Sequence, residues 1–180
     1  MSQINYGVRL ATPADIAHLP AIEQAAAQRY HPYISTLGLI LDQLENIVSI
    51  DFLNQAQCQN HLWVATLTTT QQPIGFVVVE RLADSFFIVE LDVAPEYGRQ
   101  GIGSALMNQA IAEARQQCLT TVTLTTFRHV PWTIPFYRRL GFEIVAPSHY
   151  TPDIRAIVKH EEQYGFNRRV RVVMQCRISP

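Results

Sequence analysis

The chain has 180 residues, 48% of them hydrophobic and 16% charged, which suits one domain able to bury a sizeable core and excludes a disordered chain. Its formal net charge is -1, so no overall field draws it to nucleic acid or to an anionic membrane. The apolar runs are too short to cross a bilayer and the amino-terminal segment lacks the pattern of a signal peptide, while Cys58, Cys118 and Cys176 are odd in number and far apart, so we expect reduced thiols in a cytoplasmic protein. The six histidines form no HExxH and no paired spacing, and no metal site is expected.

No repeat, long linker or low-complexity run divides residues 1–180, which read as a single domain. Tyr6–Leu10 is predicted as a strand. Thr12 can cap a following helix, with Pro13 in its first position and Asp15 in its first turn, where the helix dipole favours an anion. That helix is predicted to run to about Arg29. A second helical region is predicted over Leu39–Asn54, where Leu41, Leu44, Ile47 and Val48 share a face. His61–Thr68, Pro73–Arg81 and Ser85–Val93 read as strands, the last two joined as a hairpin by Leu82–Asp84. Pro95–Gly103 is a loop, and Ser104–Gln117 is a helix with Leu106, Ala110, Ile111 and Ala114 on one face. Thr120–Thr126 is a β-branched strand. Pro131–Leu140 holds a short helix that Gly141 ends. Phe142–Val145 and Val170–Ile178 are the last strands, and between them a helix is predicted over Ile154–Tyr164. The order β-α-α-β-β-β-α-β-α-β, a helical insertion and a final β implies an α/β fold, a mixed sheet with helices on its faces.

The segment Val89–Ala105, VELDVAPEYGRQGIGSA, carries the most information. A strand stops at Pro95, three glycines open a turn, and a helix begins at once. A helix N-terminus offers unpaired N–H groups and partial positive charge, and glycines let that backbone approach a phosphate. The Lys that would follow the last glycine of a P-loop is absent, and the spacing GxxGxG differs from the dinucleotide fingerprint.

PEYGRQGIGSALM resembles the pyrophosphate-binding motif Q/R-x-x-G-x-G/A of the GNAT superfamily of N-acetyltransferases. Gly101 and Gly103 match its glycines. Gly98 stands where the family prefers Gln or Arg, leaving its N–H, with Arg99 and Gln100, to serve the phosphates. PWTIPFYRRLGFEIV is similar to a later family motif through Phe136, Tyr137, Gly141 and Phe142, with Thr133 where many members carry Asn. The resemblance spans most of the chain. It implies a central, mostly antiparallel mixed sheet and acetyl-CoA as cofactor, held by Leu91, Asp92, Val93, Gly98, Arg99, Gln100, Gly101, Ile102, Gly103, Ser104, Thr133, Phe136 and Tyr137.

The chemistry so implied is direct transfer from the thioester to a primary amine. An alkylammonium must lose a proton before it can attack, the oxyanion needs a donor, and the leaving thiolate benefits from an acid. Tyr137 matches the family tyrosine placed near the coenzyme sulfur and is the candidate acid. Glu90 is the candidate base; strand alternation sets it on one face with Asp92, although a bulge could change which face meets the cleft. The backbone of Leu91–Val93 is where the family places its oxyanion and pantetheine contacts. Acceptor groups are expected from Tyr30, His31 and Tyr33, from the hairpin, and from Ser148–Tyr164 with His149, Tyr150, Arg155, Lys159, His160, Glu161 and Glu162. A small-molecule amine is the expected acceptor. A non-catalytic CoA-binding sensor and a protein N-terminal or lysine acetyltransferase are the alternatives. A homodimer through the final strand is a further expectation of the resemblance.

Overall fold

The computed structural model describes residues 4–178, apart from the side chains of Leu44 and Glu45. Leu44, expected on an apolar helix face, and the two chain ends therefore lie outside what is described. Among the described residues seven strands form one sheet: β1 (Tyr6–Leu10), β2 (Leu62–Leu67), β3 (Pro73–Arg81), β4 (Ser85–Val93), β5 (Thr121–Phe127), β6 (Glu143–Ile144) and β7 (Arg171–Arg177). Their order is β1-β2-β3-β4-β5-β7-β6. All neighbours are antiparallel except β4 and β5, as a strand–helix–strand crossover requires.

Helices cover both faces, and the strands alternate between them. Helix α1 (Leu19–Ala27) and, further on, α4 (Ile50–Cys58) pack Leu19, Ile22, Leu53 and Ala56 against Leu62, Val64, Phe76 and Val78. Helix α5 (Ile102–Gln116) packs Ile102, Leu106, Met107, Ala110 and Ala114 against Trp63, Ala65, Val77 and Val79 on the other face. Between α1 and α4 lie the short helices α2 (Ile34–Leu37) and α3 (Leu41–Glu45). Helices α6 (Thr133–Arg139) and α7 (Pro152–Gln163) complete the chain. Among the described residues no helix is long and apolar enough to cross a membrane.

Two helices differ from the sequence expectation. The carboxylate of Asp15 does not serve a helix dipole. It accepts from the Thr12 N–H and hydroxyl, each at 2.7 Å, and from Arg9 of β1 at 2.7 and 3.0 Å. These bonds hold a turn, so the α-helix starts only at Leu19, with Pro20 in its first turn. The region predicted as one helix over Leu39–Asn54 is two. Asn46 is extended, Val48 N–H is drawn onto Glu23 Oε1 at 2.9 Å, and Ser49 Oγ caps α4 by accepting from Phe52 N–H at 3.2 Å. A buried side chain from α1 thus competes with helix continuation for a backbone donor.

The feature that positions the site is the parting of β4 and β5. They pair only from Ser85–Ile88 to Thr121–Leu124. At Val89 the register of β4 against β3 shifts, Val79 facing Ile88 and Val78 facing Glu90. This bulge bends β4 as bulges do. The carboxyl ends of the two parallel strands separate into a cleft, the usual place for a ligand in such sheets.

Candidate active site

The cleft has two parts. The first is the loop between β4 and α5. Gly101 sits in the left-handed region at φ 85° and offers no side chain to cap the helix. The first helical bond inside α5 runs from Ala105 N–H to Gly101 O at 2.9 Å, so the N–H groups of Ile102, Gly103 and Ser104 precede the ladder and face the helix end. Arg99 (also left-handed, φ 62°) and Gln100 are exposed beside them. The Ile102 side chain is buried in the core, leaving its N–H as its only polar contribution. A Cβ on Gly103 would lie 3.5 Å from the ring of Phe136, so loop and α6 are in contact. The uncapped donors and bare glycine backbone make a cradle that fits a pyrophosphate.

Two expectations for this part are corrected. The Gly98 N–H is not turned outward; it donates to Pro95 O at 3.0 Å and closes a one-turn 3-10 helix. Thr133 is 3% exposed, and its hydroxyl reaches Phe127 O at 2.6 Å and Val130 O at 3.1 Å. Its one hydroxyl hydrogen is spent inside the protein, fixing the approach to α6, and does not stand in for an Asn toward the coenzyme.

The second part is a cavity of about 580 Å³ where β4 and β5 separate. Glu90, Leu91 and Asp92 line it from β4, Tyr137 from α6, and Thr125–Phe127 from β5. The expected Glu90, Asp92 and Tyr137 therefore share one cavity. Tyr137 is wedged edge-on between Phe136 and Phe142, with ring centroids 5.0 and 5.8 Å away. Leu91 N–H, within the stretch expected to supply an oxyanion donor, points at Glu90 Oε1 at 3.3 Å.

Of the acceptor residues expected, Tyr30, His160 and Glu161 line this cavity. His31 is exposed, and Tyr33 packs edge-on against Trp132 at 5.2 Å. His149, with the hairpin residue Asp84, lines a separate groove. Arg155, Lys159 and Glu162 line another, and Tyr150 borders both. The insertion splits because one face of α7 meets the cleft and the other turns outward.

Sequence reasoning missed Glu23 and Arg171. Glu23, 6% exposed, stands on α1 opposite β4, and its carboxylate oxygens converge with those of Glu90 and Asp92 within 4.8 Å. It lies one position after Ile22 and four after Leu19, both buried; a carboxylate on the apolar stripe of an Ala-rich helix was the available signal. Arg171 donates to Glu161 at 2.7 and 3.3 Å and to Thr125 Oγ1 at 2.6 Å. It also stacks over Phe127 at 4.6 Å and Phe166 at 5.2 Å. It ties α7 to β5 and β7 across the cavity wall.

Poor solvation and like charge set the protonation of this wall. Burial, then Glu90, pushes Glu23 up to about 8, against the pull of the Val48 N–H. Burial raises Glu90, partly opposed by the Leu91 N–H and Arg171. Burial, then Glu90 and Glu23, raises Asp92 well above an ordinary carboxyl. The Tyr30 phenol is pushed up to about 12 by burial and by Glu90 and Asp92. Burial, then Tyr30 and the same carboxylates, raises Tyr137 as well. Tyr137 therefore holds its proton at neutral pH, and the carboxyl cluster can take up and release one.

Residues 58–144, which include Gly98–Ser104, Glu90 and Tyr137, match the acetyltransferase (GNAT) domain family. Over these residues the chain is similar to the GNAT acetyltransferases. It is 28% identical over 147 residues to an uncharacterized N-acetyltransferase, YafP, of Escherichia coli strain K12, covering 78% of this chain and 83% of that one. Among solved structures it is similar to N-acetylglutamate synthase from Neisseria gonorrhoeae, complexed with coenzyme A and N-acetyl-glutamate, at a TM-score of 0.71 and 17% identity. That match covers 99% of this chain and 36% of the synthase, so the chain spans about a third of that protein. It is also similar to the PaiA N-acetyltransferase from Thermoplasma acidophilum in complex with coenzyme A, at a TM-score of 0.69 and 16% identity over 97% of this chain and 99% of the other. At these identities the solved structures show the GNAT fold. Glu23, Arg171 and α7 lie outside the matched residues 58–144.

Proposed function

We propose that this chain is a GNAT acetyltransferase that moves the acetyl group of acetyl-CoA to a primary amine on a small molecule. The observation that carries the reading is the meeting of Tyr137, Glu90 and Asp92 in one cavity of about 580 Å³ beside the uncapped start of α5. Acetyl-CoA, when bound, supplies the acetyl group as an activated thioester. Ile102, Gly103 and Ser104 would hold its pyrophosphate through their N–H groups, with Arg99 and Gln100 adding side-chain contacts. Glu90 takes the proton that an alkylammonium must lose before attack, since such groups titrate near 10. Tyr137 keeps its proton until the sulfur leaves and donates it there.

A small acceptor is favoured by a contact on the cavity wall. Gln43 Nε2 on α3 donates to Tyr164 O just after α7 at 2.8 Å, so two separate parts of the chain meet on the wall of the cavity that holds the carboxyls. An extended peptide would have to displace that contact. The test is incubation with acetyl-CoA and a panel of small amines, amino acids and peptides, read by mass spectrometry of the products. Acetylation confined to small amines supports the reading. Acetylation only of peptide N-termini or lysines overturns it.

A further inference from the structure

The cluster of Glu23, Glu90 and Asp92 is larger than the chemistry requires. One carboxylate suffices to take a proton from the attacking amine; three converge within 4.8 Å. Among the described residues none of the three forms an ion pair with Lys or Arg. The nearest candidates are engaged elsewhere: Arg171 with Glu161, Arg29 over the Trp132 ring at 5.0 Å. Glu23 is the most telling member. Its Oε1 accepts from Val48 N–H, while its Oε2 is buried with no hydrogen-bond partner among the described residues. A buried carboxyl oxygen without a partner is costly whether it carries a proton or has lost it.

An ammonium is the partner that the charges favour. The attacking amine arrives as an ammonium and gives its proton to Glu90, so the proton stays in the cavity and the net charge does not change. A ligand with one amine brings one positive charge to three converging carboxyls and leaves Glu23 and Asp92 without a cation. A ligand with a second ammonium compensates them throughout, and its N–H groups reach the unpartnered Glu23 Oε2.

We propose that Glu23 and Asp92 form a binding subsite for a second ammonium group, and that the acceptor is an aliphatic diamine or polyamine. The proposal rests on the acetyl-transfer reading and adds the acceptor's chemical class. Besides the three carboxyls, the titratable and charged groups facing this space are Tyr30, Tyr137, His160, Glu161, Tyr164 and Arg171. Glu161 and Arg171 neutralise each other, so the wall keeps its acidic excess. The raised titration of Glu23 and Asp92 by burial and mutual repulsion agrees with an unfilled cation subsite: a bound ammonium brings both back toward ordinary carboxylates and expels the protons they hold.

The test compares 1,4-diaminobutane with butylamine, which share a four-carbon chain and differ by one ammonium. Wild-type kcat/KM is expected to favour the diamine by about tenfold to a hundredfold, the worth of a charged hydrogen bond. In Glu23→Gln and, separately, Asp92→Asn, that ratio is expected to fall to within about threefold. Calorimetry on the free protein near pH 7.5 provides a second readout: diamine binding should release protons, seen as a dependence of the heat on buffer ionisation, and the release should shrink in Glu23→Gln. Equal use of both amines, or a diamine preference untouched in both variants, overturns the subsite and leaves acetyl transfer standing. Acetylation of neither amine together with no diamine binding overturns the subsite as well, and failure with every amine of the wider panel sinks the underlying reading. Activity abolished by EDTA and restored by a divalent cation would make the cluster a metal site and overturn the proposal.

Discussion

Replacing Glu23 by Gln should stabilise the protein, and the gain should grow with pH. Glu23 is 6% exposed, and its carboxyl is raised from 4.5 to about 8, first by burial and then by Glu90. Below about pH 4.5 it is neutral folded and unfolded alike. Between 4.5 and 8 the folded chain keeps a proton that the unfolded chain gives up, so stability falls as pH rises. Above about 8 the full cost of a buried charge stands, on the order of 5 kcal/mol at most. Water reaching the cavity wall reduces this, so we expect a difference of about 2–5 kcal/mol between wild type and variant at pH 9. The Gln carbonyl can still accept from Val48 N–H, so the break between α3 and α4 is kept. At this chain length about 1 kcal/mol moves the melting temperature by roughly 2–4 °C. Thermal melts at pH 5, 7 and 9 should therefore run close together at pH 5 and diverge by about 5–15 °C at pH 9. Parallel pH dependences in the two proteins would refute the placement of Glu23 as a buried, repelled carboxyl. A residue that weakens the fold while shaping a ligand site is the ordinary trade between stability and activity.

Three other substitutions probe the surrounding framework. A Cβ on Gly75 of β3 would sit 2.7 Å from the Asp92 carbonyl oxygen; Gly75→Ala should cost about 1–3 kcal/mol in urea unfolding and lower kcat/KM by displacing the end of β4. Thr133→Val removes the donor to Phe127 and Val130 and should cost about 1–3 kcal/mol in the same assay. At Asp15 burial raises the carboxyl, but Arg9 and Thr12 outweigh it and hold it down to about 2. Its contribution is present above the unfolded value and lost as pH falls through about 2, so Asp15→Asn should lower stability by roughly 2 kcal/mol at pH 7 with the difference closing near pH 2.

The strands were legible because their signal is local. Pro73–Arg81 and Ser85–Val93 are bounded by turn residues and filled with β-branched and aromatic side chains, and their observed limits coincide with the reading. The glycine-bearing helix start was legible for the same reason: the residues that fix the loop conformation are adjacent in the chain. The split near Asn46 was not, because its cause is the carboxylate of Glu23, a residue on another helix. The role of Gly98 could not be read either, since its N–H can face solvent or close a turn with equal ease, and the chain closes the turn. Thr133 matched a motif position, yet the direction of a hydroxyl depends on which carbonyls the fold brings near it. Glu90 and Asp92 came from the family resemblance of the strand before the loop, with alternation setting them on one face, whereas the third carboxylate required knowing that α1 packs against β4.

The measurement that bears most directly on the account is thiol release from acetyl-CoA with a productive amine, comparing wild type with Tyr137→Phe. The phenol is half-buried, keeps its proton at neutral pH and lies on the wall shared with Glu90 and Asp92. Losing its proton at the leaving sulfur should lower kcat by about a hundredfold or more, with KM for acetyl-CoA changed by less than about threefold. An unchanged kcat in the folded variant would contradict Tyr137 as the acid and the chemistry built around it.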